Sequence, residues 1–530
     1  MTIDRLQRLS NSQLFLYGLS ILLSVAGILL VLHRTAEYGV GLNTSDAVNY
    51  LSAAHSFADG DGYLLVTGGP YVKWPPLFPT LLAVPTAVGV DPLTTGRYLN
   101  ALAFGLSIFL TGKWLIENIE HRSLIVLGVL SVFLAEPLVR MASVLSTEPV
   151  YVLLTLLFCL SLSRFLYDQN PKSFGWAILW AALATLQRYI GMSLIAVGGL
   201  LILFVMPQVG VHRRLLYACL FGVFSTAPIG LWVIRDYRLN NTLMGSRVPP
   251  EISMSGNLRI LYEILEKWVT RSWWLPDRVV QNIPGELIVV GFLLLIVLGM
   301  AMWLKFRERV GLEQRTNILV LSTVIVTYLI FLLIAVTLTE TTFILKDDRF
   351  VLPVYVFFLW LSLLTIDMLV SPVANRKAVA VIVSGLVFTW AGVATYRNVH
   401  VLADQLPNSM YVESEWHESE LMEWVREELP EGKIYSNDPL AVYVLAGRRA
   451  DRAPSRKAYA SVHDLGSFVT SARAQGTDVF FVMFNDKYNK LGIASIQHSP
   501  QGYFTADDLA SVMDLELLVD FDDGACYRLK

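Results

Sequence analysis

A series of long apolar runs constrains this sequence more than any other feature. Each run is about 15 to 22 residues long, and together they fill roughly the first 398 positions. At 1.5 Å per residue, a helix of about 20 residues crosses the ~30 Å hydrocarbon core of a bilayer. Hydrophobic residues make up 54% of the chain and charged residues 16%, against about 45–50% and 25% in soluble domains. The pattern predicts an α-helical polytopic membrane protein.

We count about eleven transmembrane helices in this pattern. Their predicted starts lie near Leu14, Leu99, Leu124, Pro149, Phe174, Met192, Leu215, Leu287, Asn317, Phe350 and Ala378. Residues 76–90 are also apolar, but Pro79 and Pro85 interrupt them and the segment is short for a span. We therefore predict a helix at the membrane interface there. The first run follows Arg5 and Arg8 and has no A-x-A-like cleavage site, which favours a retained signal anchor.

The distribution of basic residues predicts the orientation. With the N-terminus in the cytoplasm, every short inward loop carries at least one Lys or Arg, as the positive-inside rule requires. These residues are Arg122, Arg164, Lys172, Arg213, Arg214, Lys305, Arg307, Arg309, Arg315, Arg376 and Lys377. The outward turns have fewer. This pattern predicts a multi-pass protein of the cell (inner) membrane whose C-terminus is extracytoplasmic.

Three outward segments are longer than simple connections. They cover residues 33–98, residues 235–286 and the polar tail at 399–530. The tail alternates short β-type runs, at 433–436, 479–484, 515–521 and 526–529, with helical patterns. It is predicted to form a small α/β extracytoplasmic domain after a transmembrane domain at 1–398. Trp268, Trp273 and Trp274 in the second loop are typical of interfacial anchors, and they would also suit a lid over a sugar or a prenyl chain.

The first long loop contains several candidate site residues. Asp46 follows Ser45 at the head of a helical stretch, a position also typical of an N-cap or first-turn acid. His55 and the Asp59-Gly-Asp-Gly run that follows are equally consistent with a helix end and a turn. The loop continues to Tyr63 and then to a Lys73-Trp74-Pro-Pro-Leu-Phe-Pro step.

Four further motifs follow at span ends predicted to face outward. They are Ser146-Thr-Glu148-Pro149, Thr185-Leu-Gln-Arg188-Tyr189, Trp232-Val-Ile-Arg235-Asp236 followed by Gly245, and Asp348-Arg349-Phe350 with Pro353. Together with the first loop, their order and predicted membrane side resemble the GT-C glycosyltransferases. The resemblance is to the branch that contains protein O-mannosyltransferases and bacterial aminoarabinose transferases. It covers roughly residues 1–398. Gln187 stands before Arg188 where the family has Thr, which makes that step a loose match.

The resemblance implies a hexosyl or pentosyl transferase that moves a sugar, with inversion, from a polyprenyl-phosphate carrier to an extracytoplasmic protein, lipid or glycan. Asp46 is the expected catalytic base, since a phosphate leaving group needs no protonation. Glu148 is the second candidate catalytic carboxylate. Arginine at span ends suits a lipid phosphate, although snorkelling arginines are also common there. The expected substrate-binding residues are Lys73, Arg188, Arg235, Arg349, Tyr63, Trp74 and His55.

No cofactor is certain from the sequence, and a divalent metal at Asp46 and Glu148 stays an open alternative. Expected partners are the lipid-linked donor, the acceptor and membrane lipids. The net charge of −3 does not point to nucleic acid. A transporter or lipid flippase is the alternative function, although no clear internal repeat is visible. A membrane scaffold with a partner-binding tail would explain the tail but not the first loop.

Overall fold

The structure is a computed structural model. It describes residues 11–206 (except 37, 38 and 43), 209–245, 252–270, 311–338, 348–370 and 418–530 (except 457, 460, 475 and 486–502), with the single positions 385, 411 and 416. By Cα packing the chain divides into two compact units. The first unit contains Met1–Arg34, Val72–Phe78 and Arg97–Leu406. The second contains Thr35–Tyr71, Pro79–Gly96 and Pro407–Lys530. The first long loop thus belongs largely with the polar tail, and the boundary predicted at 398/399 lies outside the described residues.

Helices make up most of the first unit, and most of them are long and apolar. They are α1 (Asn11–Arg34), α4 (Pro92–Asn118), α5 (Arg122–Phe133), α6 (Glu136–Ala142), α7 (Glu148–Asp168), α8 (Pro171–Gln187), α9 (Met192–Phe204), α10 (Val211–Asn240), α11 (Met254–Thr270), α12 (Leu312–Leu338) and α13 (Leu352–Val370). Short 3₁₀ turns, Tyr189–Gly191 and Asp348–Phe350, precede α9 and α13. Helices α2 (Ser45–Ala58) and most of α3 (Leu77–Thr86) belong to the second unit.

Five described helices are long and apolar enough to cross a membrane: α1, α4, α7, α10 and α12. The pair α5 and α6, bent by 42°, is a sixth if it forms one span. Three more predicted spans coincide with α8, α9 and α13. The spans predicted near Leu287 and Ala378 lie outside the described residues. The predicted interface segment forms the short helix α3, which has Pro85 in its last turn.

Small residues let the helices of this unit approach closely. Ser24 on α1 donates a 2.7 Å hydrogen bond to the backbone carbonyl of Gly105 on α4. A Cβ atom on Gly105 would collide with Ile28, and one on Gly27 would collide with Ile108. Such positions allow helix backbones to pack tightly where no hydrophobic effect drives helices together. Farther along, α7 packs on α8 and α12, and α9 packs on α10.

The polar tail folds around a five-stranded sheet. Its elements are α14 (Glu420–Glu427), β1 (Lys433–Ser436), α15 (Pro439–Ala446), β2 (Asp451–Arg452), a 3₁₀ turn (Val462–Leu465), α16 (Gly466–Arg473), β3 (Val479–Phe484), α17 (Ala506–Ala510), β4 (Leu515–Phe521) and β5 (Gly524–Leu529). The strand order is β2-β1-β3-β5-β4. β1 is parallel to β2 and β3, whereas β5 is antiparallel to β3 and β4. The four predicted strands and the hairpin through Gly524 are confirmed; the short β2 was not predicted.

The burial of β3 fits its central position in the sheet. Every residue of β3 is buried, which is expected for a central strand with the uninterrupted apolar sequence Val-Phe-Phe-Val-Met-Phe. The rings of Tyr435 on β1 and Phe481 on β3 stack 5.5 Å apart, and Phe468 on α16 packs edge-on against Tyr435. β1, β3 and α16 therefore form one packed layer against which the remaining elements of the tail fold.

Candidate active site

The first candidate cluster is built on a buried ion pair. Glu148 is the first residue of α7, and 3% of its surface is exposed. Pro149 at the next position favours a helix start there, so the carboxylate lies in the first turn. Arg188 follows the last residue of α8 in extended conformation. Its Nη1 donates to Glu148 Oε1 and, over 2.9 Å, to Thr147 Oγ1. The two predicted site residues, 40 positions apart, are therefore direct partners.

Gln187 also binds the residue that precedes Glu148. Its Nε2 donates a 3.1 Å hydrogen bond to the backbone carbonyl of Thr147, and the side chain is buried. No role was predicted for Gln187 from the sequence. The signal that could have found it is an amide side chain at the end of an apolar run, directly before a candidate arginine. Gln187 and Arg188 together hold the end of α8 against the start of α7.

Phe350 brings a second arginine to this cluster. Its ring centre lies 5.1 Å from the Arg188 guanidinium and 4.5 Å from that of Arg349. The backbone carbonyl of Phe350 accepts a 2.6 Å hydrogen bond from the Tyr328 hydroxyl on α12. Arg349 also lies within electrostatic range of Glu148. Two guanidinium groups and one carboxylate leave a formal surplus of one positive charge, which favours an anionic ligand.

A second buried acid, Asp236 on α10, is bound by the residue that follows Arg188. Tyr189, directly after Arg188, donates a 3.4 Å hydrogen bond from its hydroxyl to Asp236 on α10. The neighbouring Arg235 donates over 2.8 Å to the other Asp236 oxygen, and its guanidinium lies 4.2 Å from the Trp232 ring centre. Asp236 is fully buried. Arg188 and Tyr189 thus connect the end of α8 to the start of α7 and to the last turns of α10.

Lys73 and Trp74 also belong to this unit. The Lys73 ammonium lies 5.2 Å from the centre of the Trp74 ring, and its side chain is exposed. Gly245, shortly after α10, lies against the Lys73 backbone. The structure therefore joins the Lys-Trp-Pro-Pro step to the segment that follows Arg235.

Asp46, His55 and Tyr63 lie in the other compact unit. Asp46 is partly buried in the first turn of α2, and Thr44 is the N-cap, accepting from Ala47 N. Tyr63 stacks on Phe57 at 4.4 Å and shares a 2.7 Å hydrogen bond with Thr80. The turn at residues 59–62 ends α2, with Gly60 and Gly62 both at positive φ. The helix-end and turn interpretation of this stretch is confirmed.

His55 connects α2 to the polar tail. Its Nδ1 lies 2.9 Å from the hydroxyl of Tyr443 on α15. Burial lowers the pKa of His55, with Arg449 adding to the effect, although Asp59 and Asp91 oppose it. The imidazole is therefore neutral near pH 7. Tyr443 was not singled out in the sequence, because a contact between residues 388 positions apart leaves no local pattern.

The described residues include no group of three His, Cys, Asp or Glu side chains placed to hold a metal ion. The structure brings Glu148, Arg188 and Arg349 together, with Arg235 held through the Tyr189–Asp236 link. In the second loop, Trp273 and Trp274 lie outside the described residues, and the side chain of Trp268 is not described.

No protein-family model matches this sequence, and no curated protein sequence is significantly similar to it. Solved structures, in contrast, share its fold. ArnT from Cupriavidus metallidurans in the apo state matches with a TM-score of 0.55 and 14% identity, over 96% of this chain and 98% of that one. The same protein bound to undecaprenyl phosphate matches with a TM-score of 0.55 and 13% identity over the same shares.

ArnT is an aminoarabinose transferase of the GT-C superfamily. The match extends over almost the whole of both chains, including the small mixed sheet at the C-terminus. The predicted fold class, a polytopic α-helical membrane protein of GT-C type with a small C-terminal α/β domain, is thereby confirmed. This chain therefore shares the fold of ArnT.

Proposed function

We propose that this protein is a membrane glycosyltransferase that moves a sugar from a polyprenyl-phosphate carrier to an extracytoplasmic acceptor, with inversion at the sugar. The observation that carries the proposal is the buried Glu148–Arg188 pair with Arg349 beside it, in a chain whose fold matches a structure of ArnT bound to undecaprenyl phosphate. A lipid phosphate needs fixed positive charge at the end of a helical bundle, and this cluster supplies it.

The reaction needs few protein groups. The acceptor hydroxyl or amine attacks the anomeric carbon, the bond from that carbon to the phosphate oxygen breaks, and the phosphate leaves with the bonding electrons. Asp46 takes the acceptor proton as general base. Arg349 and Arg188 stabilise the negative charge that grows on the leaving phosphate, because guanidinium groups stay protonated at every relevant pH.

Glu148 is already engaged by Arg188, and this contact suits a role different from that of Asp46. A carboxylate held by a guanidinium fixes the orientation of that guanidinium and is a weaker base. We propose that Glu148 acts through Arg188, keeping its fork aimed at the phosphate. Asp236 holds Arg235 in the same way. Lys73, an exposed cation of the first unit, is a further proposed contact to the phosphate.

We further propose that this cluster and the polar tail face the extracytoplasmic side of the inner membrane. The opposite ends of α7, α8 and α10 carry Arg164, Lys172, Arg213 and Arg214, and the starts of α5 and α12 carry Arg122 and Arg315. Such enrichment is typical of the cytoplasmic side. The orientation places the donor phosphate at the outer leaflet.

The position of ionisable groups favours a transferase over a transporter or flippase. In the described apolar helices α1, α4, α5, α7–α10, α12 and α13, every Asp, Glu, Lys and Arg lies within about two turns of a helix end. Transporters place such groups near the membrane midplane, where substrate and ions pass. The charged groups here lie near the helix ends instead.

Deletion of the gene followed by mass spectrometry of cell-envelope lipids, glycans and glycoproteins tests the function. Loss of one sugar from one class of molecule is expected and would identify donor and acceptor together. An unchanged envelope, with transport of a lipid or solute impaired instead, would overturn the transferase proposal.

The Asp46→Asn variant tests the mechanism. It should lose turnover, measured as release of undecaprenyl phosphate from lipid-linked sugars, while binding of undecaprenyl phosphate itself persists. Asp61→Asn is the matched control, because Asp61 is an exposed acid of the same loop. Full turnover by Asp46→Asn would remove Asp46 from the role of base.

A further inference from the structure

A polar contact joins helix α15 of the tail to helix α2, which carries Asp46 in its first turn. The Tyr443 hydroxyl lies 2.9 Å from His55 Nδ1, and the rings are tilted by 54° with centres 6.3 Å apart. Ser52, one turn earlier on α2, lies beside the same hydroxyl. All three residues belong to the second compact unit. The phenol of Tyr443 therefore meets one face of α2 at two successive turns.

The helix that carries Tyr443 is fixed at its N-terminus. Asp438 caps α15 by accepting from Ala441 N over 3.1 Å, and the Tyr411 hydroxyl donates to the same carboxylate over 3.1 Å. Asp438 directly follows Asn437, whose side chain exchanges two 2.9 Å hydrogen bonds with the Phe484 backbone at the end of β3. The start of α15 is thus anchored to the centre of the sheet.

The C-terminal end of α15 is fixed as well. Gly447 ends the helix with φ +68°, a left-handed conformation that glycine adopts without strain. Arg448 then donates over 2.7 Å to the Pro430 carbonyl, after the end of α14. A shift of Tyr443 away from α2 would break contacts at one end of α15 or the other. Tyr443 is presented by a rigid support.

Helix α2 is in turn a stiff element. The Ser56 hydroxyl accepts from Leu64 N over 3.0 Å, and Asn49 Oδ1 accepts from Val66 N over 3.4 Å, so the hairpin after the helix braces it. Asp46 and His55 are nine residues apart, which is about 13 Å along a helix. A displacement at His55 therefore moves the first turn of α2 with it.

We infer that Tyr443 is a positioning residue for Asp46: by holding His55, the C-terminal domain fixes the helix that presents the catalytic base. This inference rests on the proposed function and gives the tail a task in the reaction. A base must lie within hydrogen-bond reach of the acceptor proton, and an error of about 1 Å can lower the rate about 100-fold. The arginine cluster has its own supports in the first unit, so affinity for the lipid carrier does not depend on Tyr443.

The test uses the full-length protein reconstituted in lipid. Turnover is measured as undecaprenyl phosphate released from a panel of undecaprenyl-phosphate-linked sugars, with a cell-envelope extract as acceptor. Tyr443→Phe keeps the ring and removes the hydroxyl. It should lower kcat about 10- to 100-fold with KM for the lipid donor within about 2-fold of wild type. Hydrogen exchange of peptides covering residues 45–58 should rise in the same variant.

Two changes at His55 separate positioning from general packing. His55→Asn keeps a polar atom near Nδ1 and should retain most of the turnover, whereas His55→Phe should lose it as Tyr443→Phe does. Tyr527→Phe, which removes a hydroxyl from β5 in the same domain, is the matched control and should leave kcat unchanged.

Wild-type kcat in Tyr443→Phe and His55→Phe would overturn the inference, even if Asp46→Asn is inactive and the proposed base stands. A loss of turnover that His55→Asn shares fully, or that a lowered melting temperature accounts for, would overturn it too. Activity in Asp46→Asn, by contrast, would contradict the proposed base and leave the His55–Tyr443 coupling to be judged by hydrogen exchange alone.

Discussion

The backbone of Lys73 runs directly against Gly245, so that a Cβ atom on Gly245 would lie 3.1 Å from the Lys73 Cα atom. Two sequence motifs separated by the whole of α4 to α10 meet at this point. Gly245 also has φ +71°, where side chains other than glycine are strained. Position 245 is therefore constrained both by its own backbone and by its neighbour.

Gly245→Ala should destabilise the protein by about 1–2 kcal/mol, because the added methyl group is strained and displaces the Lys73 backbone. We also expect the KM for the lipid donor to rise, since Lys73 is a proposed phosphate contact. Thermal unfolding in detergent and donor titration measure the two effects. Gly222→Ala is the control: Gly222 lies within α10 with open space around it, and alanine there should not lower stability. Equal behaviour of the two variants would contradict the prediction.

The Glu148–Arg188 pair should be sensitive to loss of either partner. The side chains are only 4% and 15% exposed, and breaking a buried ion pair leaves an uncompensated charge that costs about 3–5 kcal/mol. Glu148→Gln and Arg188→Gln should each reduce both stability and turnover. The double variant should lose less than the sum of the two, a coupling that a double-mutant cycle measures.

Arg164 and Asp168 provide the comparison for that cycle. They form an ion pair at the opposite end of α7, where the Arg164 side chain is 63% exposed. Exposed pairs contribute about 0–1 kcal/mol, so Arg164→Gln should change stability little and turnover not at all. Strictly additive effects for Glu148 and Arg188 would mean that the two residues do not act together.

Asp438 should make stability depend on pH. Burial raises its pKa to about 6. Since this value lies above that of the unfolded chain, the folded state binds more protons between about pH 4 and 6. Stability from this group is therefore complete below that window and is lost as the pH rises through 6. Asp438→Asn keeps a good N-cap without the charge, so the variant should gain about 1–3 kcal/mol over wild type at pH 7 and nothing at pH 4.

Asp508 should make stability depend on pH in the opposite direction. Hydrogen bonds from the Thr505 backbone lower the pKa of this exposed carboxyl below its usual value. Its contribution is present at neutral pH and disappears as the pH falls below about 4. Asp508→Asn should therefore be less stable than wild type at pH 7 and similar to it in acid. If both variants shift the unfolding profile in the same direction, the assignment for Asp438 is wrong.

Local patterns in the sequence predicted the secondary structure well. The ranges of β1, β3 and β4 follow from short β-branched and aromatic runs with turn residues between them, and α2 follows from Asp46 at the head of an apolar periodicity. Long apolar runs predicted the helices of the first unit, since the thickness of a bilayer sets the length of a span. β2, with two residues, was too short to leave a signal, and helix α11 was not predicted within the second long loop.

The contacts within the candidate site could not be predicted in the same way. Glu148 and Arg188 were both candidates, but their pairing depends on how α7 packs against α8. Phe350 and Gln187 were given no role in the site, because an aromatic ring and an amide at helix ends are common structural residues. The contact between His55 and Tyr443 joins segments from the two ends of the chain. Each of these depends on tertiary packing.

The hydrogen bonds of Asp367, at the other end of the first unit, should contribute stability without affecting the reaction. Asp367, near the end of α13, accepts hydrogen bonds from the backbone amides of Glu120 and His121 over 3.1 and 3.0 Å. It also lies 2.7 Å from Nδ1 of His121. The carboxylate thereby satisfies the amides of the turn between α4 and α5, and hydrogen bonds to a charged acceptor are worth about 1.5–3 kcal/mol each.

Asp367→Ala should lower the free energy of unfolding by about 3–6 kcal/mol, since two backbone amides lose their charged acceptor. Turnover per folded molecule should not change, because Asp367 lies about 25 Å along α13 from the turn that holds Arg349. Thermal unfolding and turnover measured on the same preparations separate the two. Glu117→Gln is the control, as Glu117 is an exposed residue paired with Lys113 near the same end of α4. A fall in turnover that exceeds the loss of folded protein would show that this end of the helices takes part in the reaction, as an alternating-access transporter requires and a one-sided transferase does not.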